Sequence, residues 1–145
     1  MAFIYEMEFR THSVIENLDG AGLAEGEPEI SIITSEGFLR LGEEERVISY
    51  TEEIEGGRVV CELTLKEGEV RLSRRGAVVF DATFREGESY SGIYSVPPYS
   101  FDTEIKTKRI RDGITKAGGE LSIIYNMNIG GQEKAVRLRV TAKRK

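Results

Sequence analysis

Between residues 58 and 143, apolar and polar side chains alternate in short runs. Each run is cut by a glycine-containing turn: Glu67-Gly68, Glu86-Gly87, Gly118-Gly119 and Gly130-Gly131. Alternation with period two sends successive side chains to opposite faces of a strand, and turns at these intervals make consecutive strands antiparallel neighbours. A meander of this kind closes on itself, because closure removes the exposed edges. The pattern predicts an all-β antiparallel barrel of eight to ten strands, spanning residues 1–145 as one domain. Such a barrel has an inside, and that inside is either a packed core or a pocket.

The inward face follows from parity. Phe3, Tyr5, Met7 and Phe9 alternate with Glu6, Glu8, Arg10 and His12, so the odd residues point in. Val59, Cys61, Leu63 and Leu65 follow, then Val70 and Leu72, then Val78, Phe80, Ala82 and Phe84. Tyr90, Gly92 and Tyr94 lead to Pro97-Pro98, which lacks backbone donors and reads as an extended corner. Phe101, Thr103, Ile105 and Thr107 continue the face, and Leu121 to Ile129 and Val136 to Ala142 supply the last two strands. Around 17–28 the alternation dissolves into Asp, Gly, Ala and Glu, which reads as a long flexible loop, and the next strand resumes at Glu29. Residues 105–116 do not hold one helical stripe, which leaves room only for a short helical turn over 112–117.

At 145 residues the chain buries roughly two thirds of its unfolded surface in one core. Met1, Ala2, Phe3, Ile4 and Tyr5 run straight into Glu6, which forms neither a basic leader nor an apolar signal segment, and no stretch reaches the about 20 apolar residues of a membrane span. The expectation is a cytoplasmic protein with no membrane role. One cysteine, Cys61, leaves no internal disulfide and no cysteine-based zinc site, and it reads as a small core residue. Charge is uneven: residues 1–70 carry −12 and residues 71–145 carry +7. Acidic and basic strands brought together across the barrel explain this simply; two faces with different partners are the other reading.

From Arg74 onward, the chain carries Arg74-x-Gly76, Phe84-x-x-Gly87, Gly92-x-Tyr94, Pro97, Ile105-x-Thr107, Gly119-x-Leu121-x-Ile123-x-Tyr125 and Gly131-Gln132. This order and spacing resembles the YwiB-like family, a bacterial domain of unknown function with a calycin-like (lipocalin-like) β-barrel. The first half matches only as a strand pattern, best at Ser49-Tyr50 and Glu52. The corner departs from the family's Pro-Tyr-Gly by reading Pro97-Pro98-Tyr99, and the loop over 19–28 is longer and richer in glycine. The resemblance implies a calycin-like barrel and ligand binding in general terms, and it supplies no activity.

Arg74 shares parity with Val70 and Leu72, so a charge points inward at a strand end, where it needs a partner. Glu52 is the candidate. A guanidinium there serves as an anchor for a ligand carboxylate or phosphate, or else as half of a structural ion pair, or is turned to solvent by a bulge at Gly76. Tyr5, Tyr90, Tyr94 and Tyr125 fall on the inward face and Tyr50 on the outward one, and with Thr103 and Thr107 the inward hydroxyls tint the interior polar. A small-ligand pocket and ordinary core packing account for them equally.

His12 lies on the polar face, with no Ser and acid in reach by sequence, and no catalytic constellation emerges. Gly20-x-Gly22-x-x-x-Gly26 has the wrong spacing and too many neighbouring carboxylates for a phosphate loop, and Glu43 to Glu45 lack the pattern of a calcium loop. Lys106, Lys108, Arg109, Arg111, Lys116, Arg137 and Arg139 with the Lys143-Arg144-Lys145 tail offer a basic stripe, though acidic overall charge and the lack of interleaved aromatics disfavour nucleic acid.

The leading expectation is a non-enzymatic protein binding a small amphipathic ligand inside the barrel. Phe80, Phe84, Tyr94, Tyr125 and Met127 would hold it and Arg74 would orient it; no cofactor or metal is implied, and the oligomeric state is open. The alternative is an interaction module for RNA or an acidic protein on the basic outer strands.

Overall fold

In the structure, a computed structural model describing residues 3–145, the alternating segments form ten strands: β1 (Phe3–Leu18), β2 (Ala24–Leu41), β3 (Arg46–Ile54), β4 (Gly57–Lys66), β5 (Glu69–Gly76), β6 (Val79–Phe84), β7 (Ser89–Val96), β8 (Tyr99–Asp112), β9 (Gly118–Ile129) and β10 (Gln132–Arg144). Met1 and Ala2, part of the stretch read as lacking a leader, lie outside the described residues. Every strand pairs antiparallel with its neighbours in sequence, and β1 pairs with β10 to complete a closed barrel. The predicted all-β antiparallel barrel is therefore the fold. Among the described residues no helix is long and apolar enough to cross a membrane.

Turn chemistry sets the hairpins. Gly130 and Gly131, with φ of 56° and 90°, lie between the paired Ile129 and Gln132, and two successive left-handed residues give the turn that matches strand twist. Pro97 and Pro98, joined by a cis peptide, fill the same two positions between Val96 and Tyr99. The expected extended corner is thus a tight hairpin turn, where missing N–H groups cost no ladder bond.

Two other expectations are corrected. The loop over 17–28 is the tip of a long β1–β2 hairpin whose ladder runs out to Leu18 opposite Ala24. Its turn is held by the Asp19 carboxylate, which accepts from the Ala21 and Leu23 N–H groups at 2.8 and 3.0 Å. Backbone pairing needs no apolar alternation, so the sequence pattern missed it. The segment 112–117 has no helical turn: Thr115 bridges back to Gly118, and Asp112 accepts from the Ile114 N–H.

β2 joins β3 only over Gly37 to Leu41. Gly37 packs so close to β3 that a side chain there would meet the Ser49 carbonyl oxygen at 2.0 Å. From Glu36 back to Ala24 the strand pairs with β1 alone and leaves a free edge. Glu25, Glu27, Pro28 and Glu29 blunt that edge against association.

Inside, Met7, Phe9, Leu39, Ile48, Leu65, Val70, Phe84, Ile105, Leu121 and Ile123 are all buried to within 1 % of complete exclusion. Each such side chain contributes about 1.5–3 kcal/mol through burial. Phe3 and Phe101 keep the inward parity but sit at strand ends, 55 % and 42 % exposed. The charge asymmetry is partly absorbed by pairs joining bases of the second half to acids of the first: Arg71 and Arg85 with Glu69, Arg74 with Glu52, Arg137 with Glu16, and Lys145 with Glu36.

Candidate functional site

The barrel's two ends differ. At the end bearing the 43–45, 67–68 and 113–117 turns, Ile114 plugs the interior at 2 % exposure. Ion pairs gather at this end. Arg46 grips Asp112 through both terminal nitrogens at 2.9 and 2.6 Å and donates to the Ile114 carbonyl, while the buried Glu69 accepts from Arg71 and Arg85 at 2.9 and 2.8 Å. Burial by itself would raise the Glu69 pKa, but hydrogen bonds and charge from these two arginines overcome it and hold the carboxyl below its usual range.

Toward the opposite end the side chains stop meeting, and a cavity of about 440 Å³ opens. Ten strands enclose a wider interior than eight, so the barrel is packed at one end and hollow at the other. The walls are mainly apolar: Ile15, Ile33, Ile54, Leu63, Leu72, Phe80, Met127, Ile129, Val136 and Leu138. Glu29 and Ser31 of the free-edged β2 segment line the cavity yet are exposed, so the space communicates with solvent on that side.

A polar cluster lies on one wall. Arg74 pairs in register with Cys61 and Phe80, and the ladder continues unbroken to Gly76 opposite Val59, so no bulge turns the guanidinium outward. Its terminal nitrogen stands 3.9 Å from Glu52, an ion-pair contact too long for a hydrogen bond. Its Nε is buried with no partner. Glu52, 5 % exposed, accepts instead from the Cys61 thiol at 3.1 Å. Burial first, then the Glu52 charge, pushes the Cys61 thiol up to about 12. Burial is the strongest influence and works against the Arg74 charge, but Glu52, Cys61 and Tyr94 together outweigh it and raise its pKa.

Aromatic rings complete the lining. Phe80 and Tyr94 pack at 5.2 Å between centroids, and Tyr125, whose phenol burial pushes up to about 12, packs at 4.8 Å on Phe84. Tyr50, expected on the outer face, points inward on the parity of Ile48 and Glu52; its hydroxyl accepts from Thr11 at 3.3 Å, and burial raises its pKa.

Of the residues expected to contact a ligand, Arg74, Phe80, Tyr94, Tyr125 and Met127 line the cavity. Phe84 does not: it is 0 % exposed behind Tyr125, in the packed half. Thr103 and Thr107 point inward but also lie outside the lining. Lining residues that sequence reasoning left out include Thr11, Ser13, Ser31 and Lys134. Their parity with Phe9, Leu39 and Val136 was the available signal. Cys61, read only as core, belongs to both wall and core.

His12 is outside, 3.2 Å from Arg139, remote from these groups. Among the described residues no cluster of three or more His, Cys, Asp or Glu is placed to hold a metal ion. On the exterior, Arg109 and Arg137 flank Ile124, and Arg111 and Arg139 flank Ser122, across β8, β9 and β10.

Residues 18–140 match the family described as a domain of unknown function, DUF1934. The chain belongs to the DUF1934 family. It is 28 % identical over 110 residues to the uncharacterized beta-barrel protein YwiB of Bacillus subtilis (strain 168), covering 76 % of this chain and 78 % of that protein. The crystal structure of the ywiB protein from Bacillus subtilis superposes with a TM-score of 0.84 at 26 % identity, covering 98 % of this chain and 93 % of the other. The DUF1934 barrel is thus common to both chains, and the expected likeness to the YwiB-like family holds.

Proposed function

We propose that this DUF1934 barrel is a non-enzymatic, calycin-like binding protein that takes a small amphipathic molecule into its hollow end. The observation that carries the reading is the cavity of about 440 Å³, within the size range of small-molecule sites and similarly built of apolar walls with few polar groups. The ligand's apolar body lies against Phe80, Tyr94, Tyr125 and Met127, and its polar end faces Arg74. On the outer wall charged side chains such as Lys106, Arg109 and Glu62 are interspersed with exposed apolar ones such as Ile32, Phe38 and Val60, unlike the lipid-facing apolar band of a membrane barrel, which supports a cytoplasmic setting.

Native mass spectrometry of freshly purified protein, with thermal-shift screening across a metabolite panel, tests the reading. A retained small molecule or a ligand-raised Tm is the expected result. Clean apo mass and a flat screen would sink it.

The paired arginines beside Ile124 and Ser122 favour a second reading, in which the basic outer strands hold RNA or an acidic protein. It predicts salt-sensitive retention on heparin that weakens on replacing Lys106 and Lys108. Unchanged retention removes it.

A further inference from the structure

The Arg74 guanidinium is under-used. Its Nε is buried with no acceptor, and its contact to Glu52 spans 3.9 Å. A buried donor without an acceptor is costly, and a charged one more so. Glu52 does not close the gap: its Oε1 accepts from the Cys61 thiol at 3.1 Å, while its Oε2 stands 3.9 Å from the guanidinium. The Nε–H itself is closed off, but the terminal nitrogens of this cavity-lining side chain make no closer contact than that, and their two N–H groups form a planar fork matched to a carboxylate. Away from Glu52 and Cys61 the wall turns apolar: Leu72 precedes it on β5, and Phe80 faces it across the β5–β6 ladder.

Resting on the interior-binding reading above, we infer that the ligand is an apolar monocarboxylic acid. Its carboxylate meets the terminal N–H groups of Arg74, and its hydrocarbon body runs toward Met127 and Leu138. Charge selects a monoanion over a phosphate dianion. The cavity is lined by two cations, Arg74 and Lys134, and two anions, Glu52 and Glu29, so its formal charges already cancel. Lys134 is tied to Asn17 at 2.9 Å. The Arg74 fork draws in one negative charge at close range, while a second meets the Glu52 carboxylate without a further free cation beside it.

The test is isothermal titration calorimetry at pH 8 with two matched pairs, decanoate with decan-1-ol and 1-naphthaleneacetate with 2-(1-naphthyl)ethanol, and with decyl phosphate as the dianion. In the wild type, at least one acid binds tenfold or more tightly than its alcohol, and decyl phosphate binds more weakly than decanoate. Arg74→Gln weakens the acid at least tenfold and so erases its preference over the alcohol, while the alcohol's continued binding shows that the variant folds. Arg74→Lys, which keeps the charge without the fork, retains only part of the preference and serves if Arg74→Gln does not fold. Acid and alcohol binding equally, or a preference that survives Arg74→Gln, overturns the inference and leaves interior binding standing. Tighter binding of decyl phosphate overturns the choice of a monoanion. No binding by either pair overturns this inference and counts against interior binding as well. Leu138→Trp, which narrows the cavity where the hydrocarbon body runs, weakens binding of both members of a pair; binding unchanged by it places the ligand elsewhere and overturns the inference.

Discussion

The two ends of the barrel are built from the same strands and the same alternation, yet they solve opposite problems. Around Phe84, Phe9 and Leu121, side chains meet at the axis, Ile114 closes the end, and the buried Glu69 has both its oxygens occupied by arginines. Around Arg74 the rings and aliphatic chains stay against the wall, and a buried donor is left open. Spare polar capacity beside a hollow is what a binding site requires, and complete satisfaction beside a packed interior is what stability requires. The difference sets a half built for stability beside a half with room for the proposed ligand.

The sharpest way to break this division is Phe84→Ala. Phe84 is fully buried and packed on Tyr125 at 4.8 Å, so truncation leaves a void at the packed end and is expected to cost about 3–5 kcal/mol in denaturant unfolding. A loss below about 1 kcal/mol would show that the packed end is itself loose.

Cys61 sharpens the boundary between the halves, since it lines the cavity floor at 1 % exposure with its thiol pushed up to about 12 by burial and by Glu52. Alkylation by iodoacetamide at pH 8 is expected to be about a hundredfold slower in the native protein than in the unfolded chain, because both thiolate and access are suppressed. Rapid native labelling would mean that Cys61 is open to the cavity rather than packed at the boundary between the two halves.

Glu69→Gln should cost about 1–2 kcal/mol by removing the charge that two arginine hydrogen bonds engage. Because the folded carboxyl titrates below its usual range, its contribution is fully present above the unfolded value, about 4.3, and is lost as pH falls through the folded value. The stability gap between wild type and variant should therefore stay constant from pH 8 to about 5 and close below about 4. A gap unchanged down to pH 3 would remove the assigned role of that ion cluster.

Much of this division was legible as parity. Arg74, Phe80, Tyr94, Tyr125 and Met127 shared a face in sequence and share a cavity in space. Phe84 shared the same face and does not, because parity tells inside from outside but carries no coordinate along the barrel axis. Strand register supplies that coordinate, and register depends on long-range pairing, such as Arg74 opposite both Cys61 and Phe80, that one sequence does not reveal. Tyr50 was missed for another reason: β3 is short and flanked by glutamates, so its inward set of Ile48, Tyr50 and Glu52 is not apolar enough to declare its phase. The long β1–β2 hairpin was hidden because Asp19 and main-chain bonds, rather than buried side chains, hold its tip.

The smallest expected effect is the most discriminating. Leu138 lies on the inward face of β10, half-buried against the cavity rather than enclosed by neighbours. Leu138→Ala therefore enlarges a space that already exists, removes few contacts, and should cost about 1 kcal/mol or less, against the several expected for Phe84→Ala. Denaturant melts of the two variants side by side measure the contrast, with equal m-values as the check that both unfold from the same state. If Leu138→Ala costs as much as Phe84→Ala, the open end is packed in solution. The hollow that separates the two halves of the barrel would then close, and with it the reason to look for a ligand there.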